Sequence, residues 1–429
     1  MYMLQLKPDE LKMLDGQEGQ AVQRAMELLV KYGEGLGADS FVDTRNVTII
    51  PGSIPDVHIV RKIVPSMDID EIASRFLLDS DERVVVDKVK AFTTTNATWR
   101  DQDYPEIQKG SRAHCDLLKM LAEYCKRIGM IHLATCTPYQ VGNIPVRGEH
   151  IAWTESSAIA YTNSVIGART NIEGLHSAFA SAITGKTPNW GMHLDENRYG
   201  KVLIDVAVDM SDQREWVLLG YYVASQVGLD LPIYKNINSL PDLTKLMALC
   251  AAGISGGSVV MHHLVGITPE APTVEAASGG RKPNYELHFG EAQRRIAYDK
   301  LNRSKKDDVD IVALGCPHCT LESLRKIAEM LDGKTIGGNT RLYLTTNSMI
   351  KAMGEIQGYN AVIEKAGGVI LKDSCCLELA LDPDKVFVTN SGKLGHYAPG
   401  ATGLKNTWFG TLEECIDAAL TGKWRGELK

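Results

Sequence analysis

The last third of the chain alternates short apolar runs with amphipathic segments, and this alternation restricts the fold more than any other feature. Val309–Leu314 is a run of strand length, and Leu321–Leu331 has helical spacing. Leu342–Thr345 is a second run, followed by a helical Ser348–Ile356, and Gly368–Leu371 and Val386–Thr389 are further strand candidates. Parallel strands need a crossover of a dozen or more residues, and helices of this length supply it. Crossovers are right-handed, so the strands end on one common edge. That edge is predicted to carry Cys316, Thr346, Cys375, Asn390 and Ser391. The expected fold class is α/β, with doubly wound, mainly parallel sheets.

Upstream, the pattern predicts a helix over Lys7–Gly35, a strand over Val84–Phe92 with the polar loop Thr93–Thr98 behind it, and a helix over Ser111–Ile128. Met130–Ala134, Lys201–Val208 and Ser258–Met261 read as strands. A chain of 429 residues exceeds one ordinary core. The polar segment Asn302–Asp308 divides it into 1–305, expected to hold two subdomains, and a doubly wound domain over 306–429.

The formal charge of −7 and the lack of a basic stripe argue against a nucleic-acid partner. No apolar run reaches membrane-spanning length, and the start MYMLQLKPDELKML lacks the apolar core of a secretory signal. A cytoplasmic protein is expected. In a reducing compartment nine cysteines without regular spacing point to metal or chemistry rather than a disulfide scaffold.

Three of those cysteines stand in turns that follow apolar runs: ATCTPY at Cys136, LGCPHC at Cys316 and KDSCC at Cys375. Ligands bind beyond the carboxyl ends of strands in open α/β sheets. Three thiolates delivered there can hold an iron–sulfur cluster and leave one metal position free. Cys115, Cys125, Cys250 and Cys415 lie in apolar or helical surroundings and read as ordinary buried thiols. A competing reading takes Cys316-Pro-His-Cys319 as the Cys-x-x-Cys of a thiol–disulfide oxidoreductase. No proline lies between Pro317 and Pro383 to supply the proline loop such folds place beside the dithiol.

The stretch Gly148–Arg198 mixes small residues with Glu155, Ser156, Asn163, Arg169 and Asn171 at a density that helix propensity does not explain. Arg169 can grip a carboxylate or phosphate bidentately, or equally form a plain ion pair. His193, with Asp195 and Glu196 beside it, suits acid–base chemistry or a structural pairing. Thr389–Lys393 (TNSGK) is a loop that can cradle an anion, although it lacks the P-loop spacing.

These blocks together resemble the large subunit of aconitase X, a distant branch of the aconitase superfamily. The resemblance rests on CTPY (Cys136–Tyr139), GEHIAWTESSA (Gly148–Ala158), NSVIGARTN (Asn163–Asn171), GKTPNWGMHLDENR (Gly185–Arg198), GITPEAP (Gly266–Pro272), GCPH (Gly315–His318), DSC (Asp373–Cys375) and TNSGK. It implies a hydro-lyase that dehydrates a small hydroxy-carboxylate on an iron–sulfur cluster, [4Fe–4S] being expected. Its ligands would be Cys136, Cys316 and Cys375; Cys375 completes the DSC block, while Cys376 is its neighbour. Arg169, Asn163 and Asn171 would orient the substrate anion, with Thr93, Asn96, Ser156 and Ser391 as further pocket candidates. His193 and Glu196 would carry protons or orient neighbours. The usual TTLNP block reads TTTNA here (Thr93–Ala97). Fused family members carry a small swivelling domain, so the resemblance implies a separate small subunit, a heterodimer, and a catalytic base that can lie on that partner. Two-subunit members act on mevalonate 5-phosphate, giving an anhydromevalonate phosphate; fused members act mainly on 3-hydroxy-L-proline. The first substrate is expected. A non-enzymatic iron or redox sensor is the alternative of another class.

Overall fold

The computed structural model describes residues 4–97 and 99–429. β1 (Phe41–Asp43), β2 (Asn46–Ile49), β3 (Phe92–Thr95) and β4 (Lys186–Pro188) form two small sheets, β1 antiparallel to β4 and β2 parallel to β3. Helices Gln20–Leu36, Arg112–Arg127 and Leu175–Thr184 pack with them around an apolar core that includes Met26, Leu29, Val47, Ile49, Leu121 and Phe179. The predicted N-terminal helix is two helices, Pro8–Leu14 and Gln20–Leu36. Gly16 and Gly19 both take positive φ, 76° and 97°, and break the run between them.

The predicted strand Val84–Phe92 lies one step off. Residues 84–91 alternate in burial, yet their N–H groups go to scattered acceptors: Val84 to Ser74 Oγ, Val89 to Ile128 and Lys90 to Ala182. The laddered strand is β3, inside the segment expected to be a loop, where the threonines bond across to β2. Position 98 of that loop lies outside the described residues. Met130–Ala134 makes only one parallel bridge, Thr94 to Ile131.

β5 (Val202–Val206), β6 (Pro232–Lys235), β7 (His263–Leu264) and β8 (Tyr285–Phe289) form a parallel sheet ordered β7-β6-β5-β8. The expected strand at Ser258–Met261 does not form; the laddered residues are the two of β7, beyond its end. β9 (Ile311–Leu314), β10 (Arg341–Thr346), β11 (Gly368–Lys372), β12 (Val386–Thr389) and β13 (Asn406–Phe409) form the doubly wound sheet, ordered β11-β10-β9-β12-β13 and parallel throughout. β9 reads as unbroken IVAL because both faces are covered: Val312 and Leu314 join the core under helices Leu321–Leu331 and Leu412–Thr421, and Ile311 and Ala313 join that under Gly392–Thr402. The winding reverses between β9 and β12, which makes their carboxyl ends the switch point of the sheet. No helix among the described residues is long and apolar enough to cross a membrane.

Candidate active site

Three loops meet at the carboxyl edge of the doubly wound sheet. One follows β9 and carries Cys316, one follows β11 and carries Cys375, and the third carries Cys136 from the N-terminal region. Gly315 has φ of 102°, and a Cβ there would lie 2.2 Å from the Thr345 carbonyl oxygen. Only glycine lets the Cys316 loop turn so close to β10.

His318 joins all three loops. Its Nε2–H donates to the Ser374 carbonyl at 2.8 Å, which leaves Nδ1 to accept from the Thr135 hydroxyl at 3.1 Å. Its backbone N–H donates to Cys136 Sγ at 3.3 Å. Burial pulls the His318 pKa down to about 4, so the ring is neutral, as the tautomer requires.

One sulfur has a donor aimed at it, Cys136, which receives the His318 N–H at 3.3 Å. The Leu377 backbone and the Ser391 side chain favour the charged forms of Cys375 and Cys316. Burial pushes all three thiols up, Cys375 to about 12, and the Lys393 ammonium works against that at every one. A backbone donor at Cys136 and a nearby ammonium suit thiolates and hence metal ligation. No three His, Cys, Asp or Glu side chains among the described residues surround a single-ion position. A polynuclear cluster needs no such point, since each cysteine binds a different iron. The residues therefore fit an iron–sulfur centre.

The neighbouring cysteines differ in kind. Cys376 is wholly buried, its Sγ 3.1 Å from the Thr345 hydroxyl and bonded to the Leu314 carbonyl at 3.5 Å. Cys319 sits in the apolar core below the sheet edge, its thiol pushed up to about 12 by burial. Cys136, Cys316 and Cys375 are all partly exposed.

The sequence reading passed over Glu155 and Lys393 as site residues. Lys393 Nζ donates to Glu155 Oε1 at 2.5 Å and to Ser156 Oγ at 3.2 Å. Asn96 Nδ2 donates to the other carboxylate oxygen at 3.1 Å, and the Ser157 hydroxyl to Oε1 at 3.0 Å. Burial, the largest effect, would raise the Glu155 carboxyl, but the Lys393 charge together with hydrogen bonds from Lys393, Asn96 and Ser157 outweighs it and holds it below its ordinary value. Burial likewise opposes the Lys393 charge, and Glu155 reverses that. Both residues stand in quoted blocks, GEHIAWTESSA and TNSGK. Each is the one residue of its charge type beside a run of small polar residues, and that was the available signal. A cavity of about 210 Å³ reaches Cys316 and Ser391 from between β9, β12 and β13.

Of the residues expected from sequence, Asn96, Ser156 and Ser391 stand in this site with the three cysteines. Thr93 is buried nearby in β3, its hydroxyl donating to Ala91 at 2.9 Å. The others gather elsewhere. Asn163 donates to the Thr170 and Val260 carbonyls and accepts the Thr170 N–H. Asn171 bonds Trp190 and Met192 backbone groups. Arg169 donates to the His193 carbonyl at 2.8 Å and pairs with Asp195. His193 lies Nδ1 to Nδ1 against His150 at 2.9 Å, and burial, with the neighbouring His150, Arg198 and Arg169 charges, pulls its pKa down to about 3. Glu196 is exposed on the next turn. His150 precedes Glu155 by five residues along an extended segment, on the order of 16 Å at strand rise.

Known proteins divide the chain as the sheets do. Models of the Aconitase X first, second and third domains match residues 3–196, 200–299 and 309–421. The phosphomevalonate dehydratase large subunit of Methanocaldococcus jannaschii is 34% identical, over 96% of this chain and 99% of its own length. That of Thermococcus kodakarensis is 35% identical over 92% and 95%. The cis-3-hydroxy-L-proline dehydratase of Pseudomonas aeruginosa is 31% identical over 96% of this chain but 69% of its own. The crystal structure of Thermococcus kodakaraensis aconitase X in its holo-form superposes with a TM-score of 0.81 at 31% identity, covering 97% of this chain and all of that one. Full-length likeness in sequence and in fold, with three domain models in order, makes this chain a member of the aconitase X family.

Proposed function

We propose that this chain is the large, cluster-bearing subunit of a cytoplasmic hydro-lyase that dehydrates mevalonate 5-phosphate. The observation that carries the reading is the convergence of three partly exposed thiols from three loops, tied together by His318, which bonds Cys136, Thr135 and Ser374. Cys136, Cys316 and Cys375 would hold the cluster, expected as [4Fe–4S]. When bound, such a cluster supplies an exposed iron, a Lewis acid for the substrate hydroxyl. Cys375 is favoured over Cys376 because the latter's sulfur is wholly buried and already engaged with Thr345 and Leu314.

Dehydration breaks a C–H and a C–OH bond and forms a C=C bond; the proton and the hydroxide leave as water. Asn96, Ser156 and Ser391 line the reacting site. His318 keeps the three loops in register. Asn163, Asn171 and Arg169 have their polar groups engaged within the fold, so we assign them to holding the 148–198 segment. His193 and Glu196 belong to that same constellation, which leaves proton abstraction to a group from the small subunit. The names of the relatives, each a "large subunit", support such a partner.

Several relatives named phosphomevalonate dehydratase match over nearly their whole length, which favours the phosphorylated substrate. The hydroxyproline dehydratases also match, which keeps 3-hydroxy-L-proline as the second reading. Anaerobic co-expression with the small subunit, iron and sulfide analysis, electron paramagnetic resonance and a turnover assay with each compound test the proposal. Iron with turnover of mevalonate 5-phosphate is expected. A metal-free preparation, or inertness toward both compounds, overturns it.

A further inference from the structure

We propose that the Lys393 ammonium and the Ser156 hydroxyl seat the carboxylate of the substrate beside the cysteines, with Glu155 holding Lys393 in place. The inference rests on the hydro-lyase reading above and adds the anchor that reading lacks.

An ammonium has three N–H donors. Two of them go to Glu155 Oε1 and Ser156 Oγ, and the third has no partner among the described residues. Ser156 accepts through its oxygen, so its own hydrogen remains free to donate. The two groups thus present adjacent donors, the pattern a carboxylate takes. They are within reach of a ligand: the Lys393 and Glu155 side chains are 14% and 15% exposed, and Ser156 is partly exposed.

The charges around the site demand a cation at this position. Cysteine thiolates holding a cluster and the Glu155 carboxylate would repel an incoming hydroxy acid, and the Lys393 ammonium stands against Glu155 where it can offset that charge. Glu155 is poorly placed to act as a base. Lys393, Asn96 and Ser157 all donate to it, and each bond favours its charged form. Its evident task is to fix the ammonium. Arg169, the cation the sequence pointed to, is committed to His193 and Asp195.

Removing Lys393 alone would strand the Glu155 charge, so the test uses Glu155→Gln/Lys393→Met together, with Lys393→Arg as the conservative change. Both are made in the two-subunit holoenzyme. Three readouts are taken: iron and sulfide content, the substrate-induced change in the cluster's resonance spectrum, and kcat and KM for mevalonate 5-phosphate and for its carboxamide analogue. The double variant is expected to keep its iron and bind the acid about 100-fold more weakly, the scale of a lost charged hydrogen-bond pair. Its preference for acid over amide should fall by a similar factor, and Lys393→Arg should recover most of it. Unchanged acid binding in an iron-loaded double variant overturns the inference and leaves the hydro-lyase reading intact. Loss of iron together with binding also overturns it, by assigning Lys393 to the cluster alone. Absence of iron from the parent enzyme defeats the underlying reading instead.

Discussion

Replacing His318 should loosen all three cysteine loops at once. The imidazole is 2% exposed and ties Thr135 to Ser374, which are 1% and 0% exposed. In His318→Ala the Thr135 hydroxyl keeps a neighbour in Thr137, 3.1 Å away, so that end costs about 1 kcal/mol. The Ser374 carbonyl loses the ring donor inside the protein, about 1–3 kcal/mol. Together that is about 3 kcal/mol, or two decades in a local opening equilibrium. Hydrogen exchange of the cluster-free protein reads it directly, and a chain with several cores is poorly served by one melting temperature. Amides of residues 134–138, 315–319 and 373–377 should exchange about 100-fold faster in His318→Ala, while those of β5 and β6 stay unchanged. In His318→Gln the side-chain amide can reach Ser374, and most of the protection should return. Anaerobic iron uptake should follow the same order. Parent-like exchange in His318→Ala would refute the idea that this ring ties the loops together.

Serine at 136, 316 or 375 should each abolish stoichiometric iron, whereas Cys376→Ser and Cys319→Ser should retain it; iron retained in Cys375→Ser and lost in Cys376→Ser would reverse the choice between those neighbours. Lys186 is 6% exposed and lies between Asp9, Asp43 and the wholly buried Glu10. Lys186→Met should destabilise the N-terminal region by about 3–5 kcal/mol in urea unfolding, since the Glu10 carboxylate loses its cation; a cost below 1 kcal/mol would refute this. The Lys186 hydrogen bonds hold Asp9 and Asp43 below their usual values, so their contribution is complete above about pH 4 and lost as the pH falls through the lowered values. His262 is buried and its pKa is pulled down to about 3, first by burial and then by the His263 charge. Unfolded chains then bind a proton that the native state refuses, so stability falls as pH drops from 6.5 toward 3. His262→Phe should flatten that slope by up to about 1.4 kcal/mol per pH unit, measured by denaturant midpoints at pH 7 and 5; an unchanged slope would rule the histidine out.

The doubly wound sheet was legible because β9 to β12 are largely buried and so read as apolar runs. Helices Leu321–Leu331 and Ser348–Ile356 fall where their periodicity put them. β13 was missed: the four residues Asn406–Phe409 alternate in burial, and NTWF offers no apolar run like IVAL in β9. β3 was missed because its threonines resemble a polar loop until β2 is beside them. The convergence of Cys136 with the other two loops followed from no local pattern, since its segment belongs to no strand of the main sheet. Side-chain commitments were the least readable. Nothing in the letters Asn163 or Asn171 tells that their amides are consumed by backbone groups, whereas Lys393 and Glu155 meet across a sequence separation of 238.

The cysteine site joins two regions that are far apart in sequence, and polar contacts cross that boundary. Lys393 reaches Glu155, His318 reaches Thr135, Ser374 donates to Gln108 at 2.7 Å, and the Lys372 N–H donates to Asp101 at 2.8 Å. Lys109 Nζ donates to the Leu377 carbonyl at 2.8 Å, directly behind Cys375. A site whose loops are already tied loses little entropy when a cluster enters, so metal should add stability without reshaping the sheet edge. What this chain alone leaves open is the side facing solvent at Cys136, Cys316, Cys375 and Lys393, which is where a partner carrying the base would have to close.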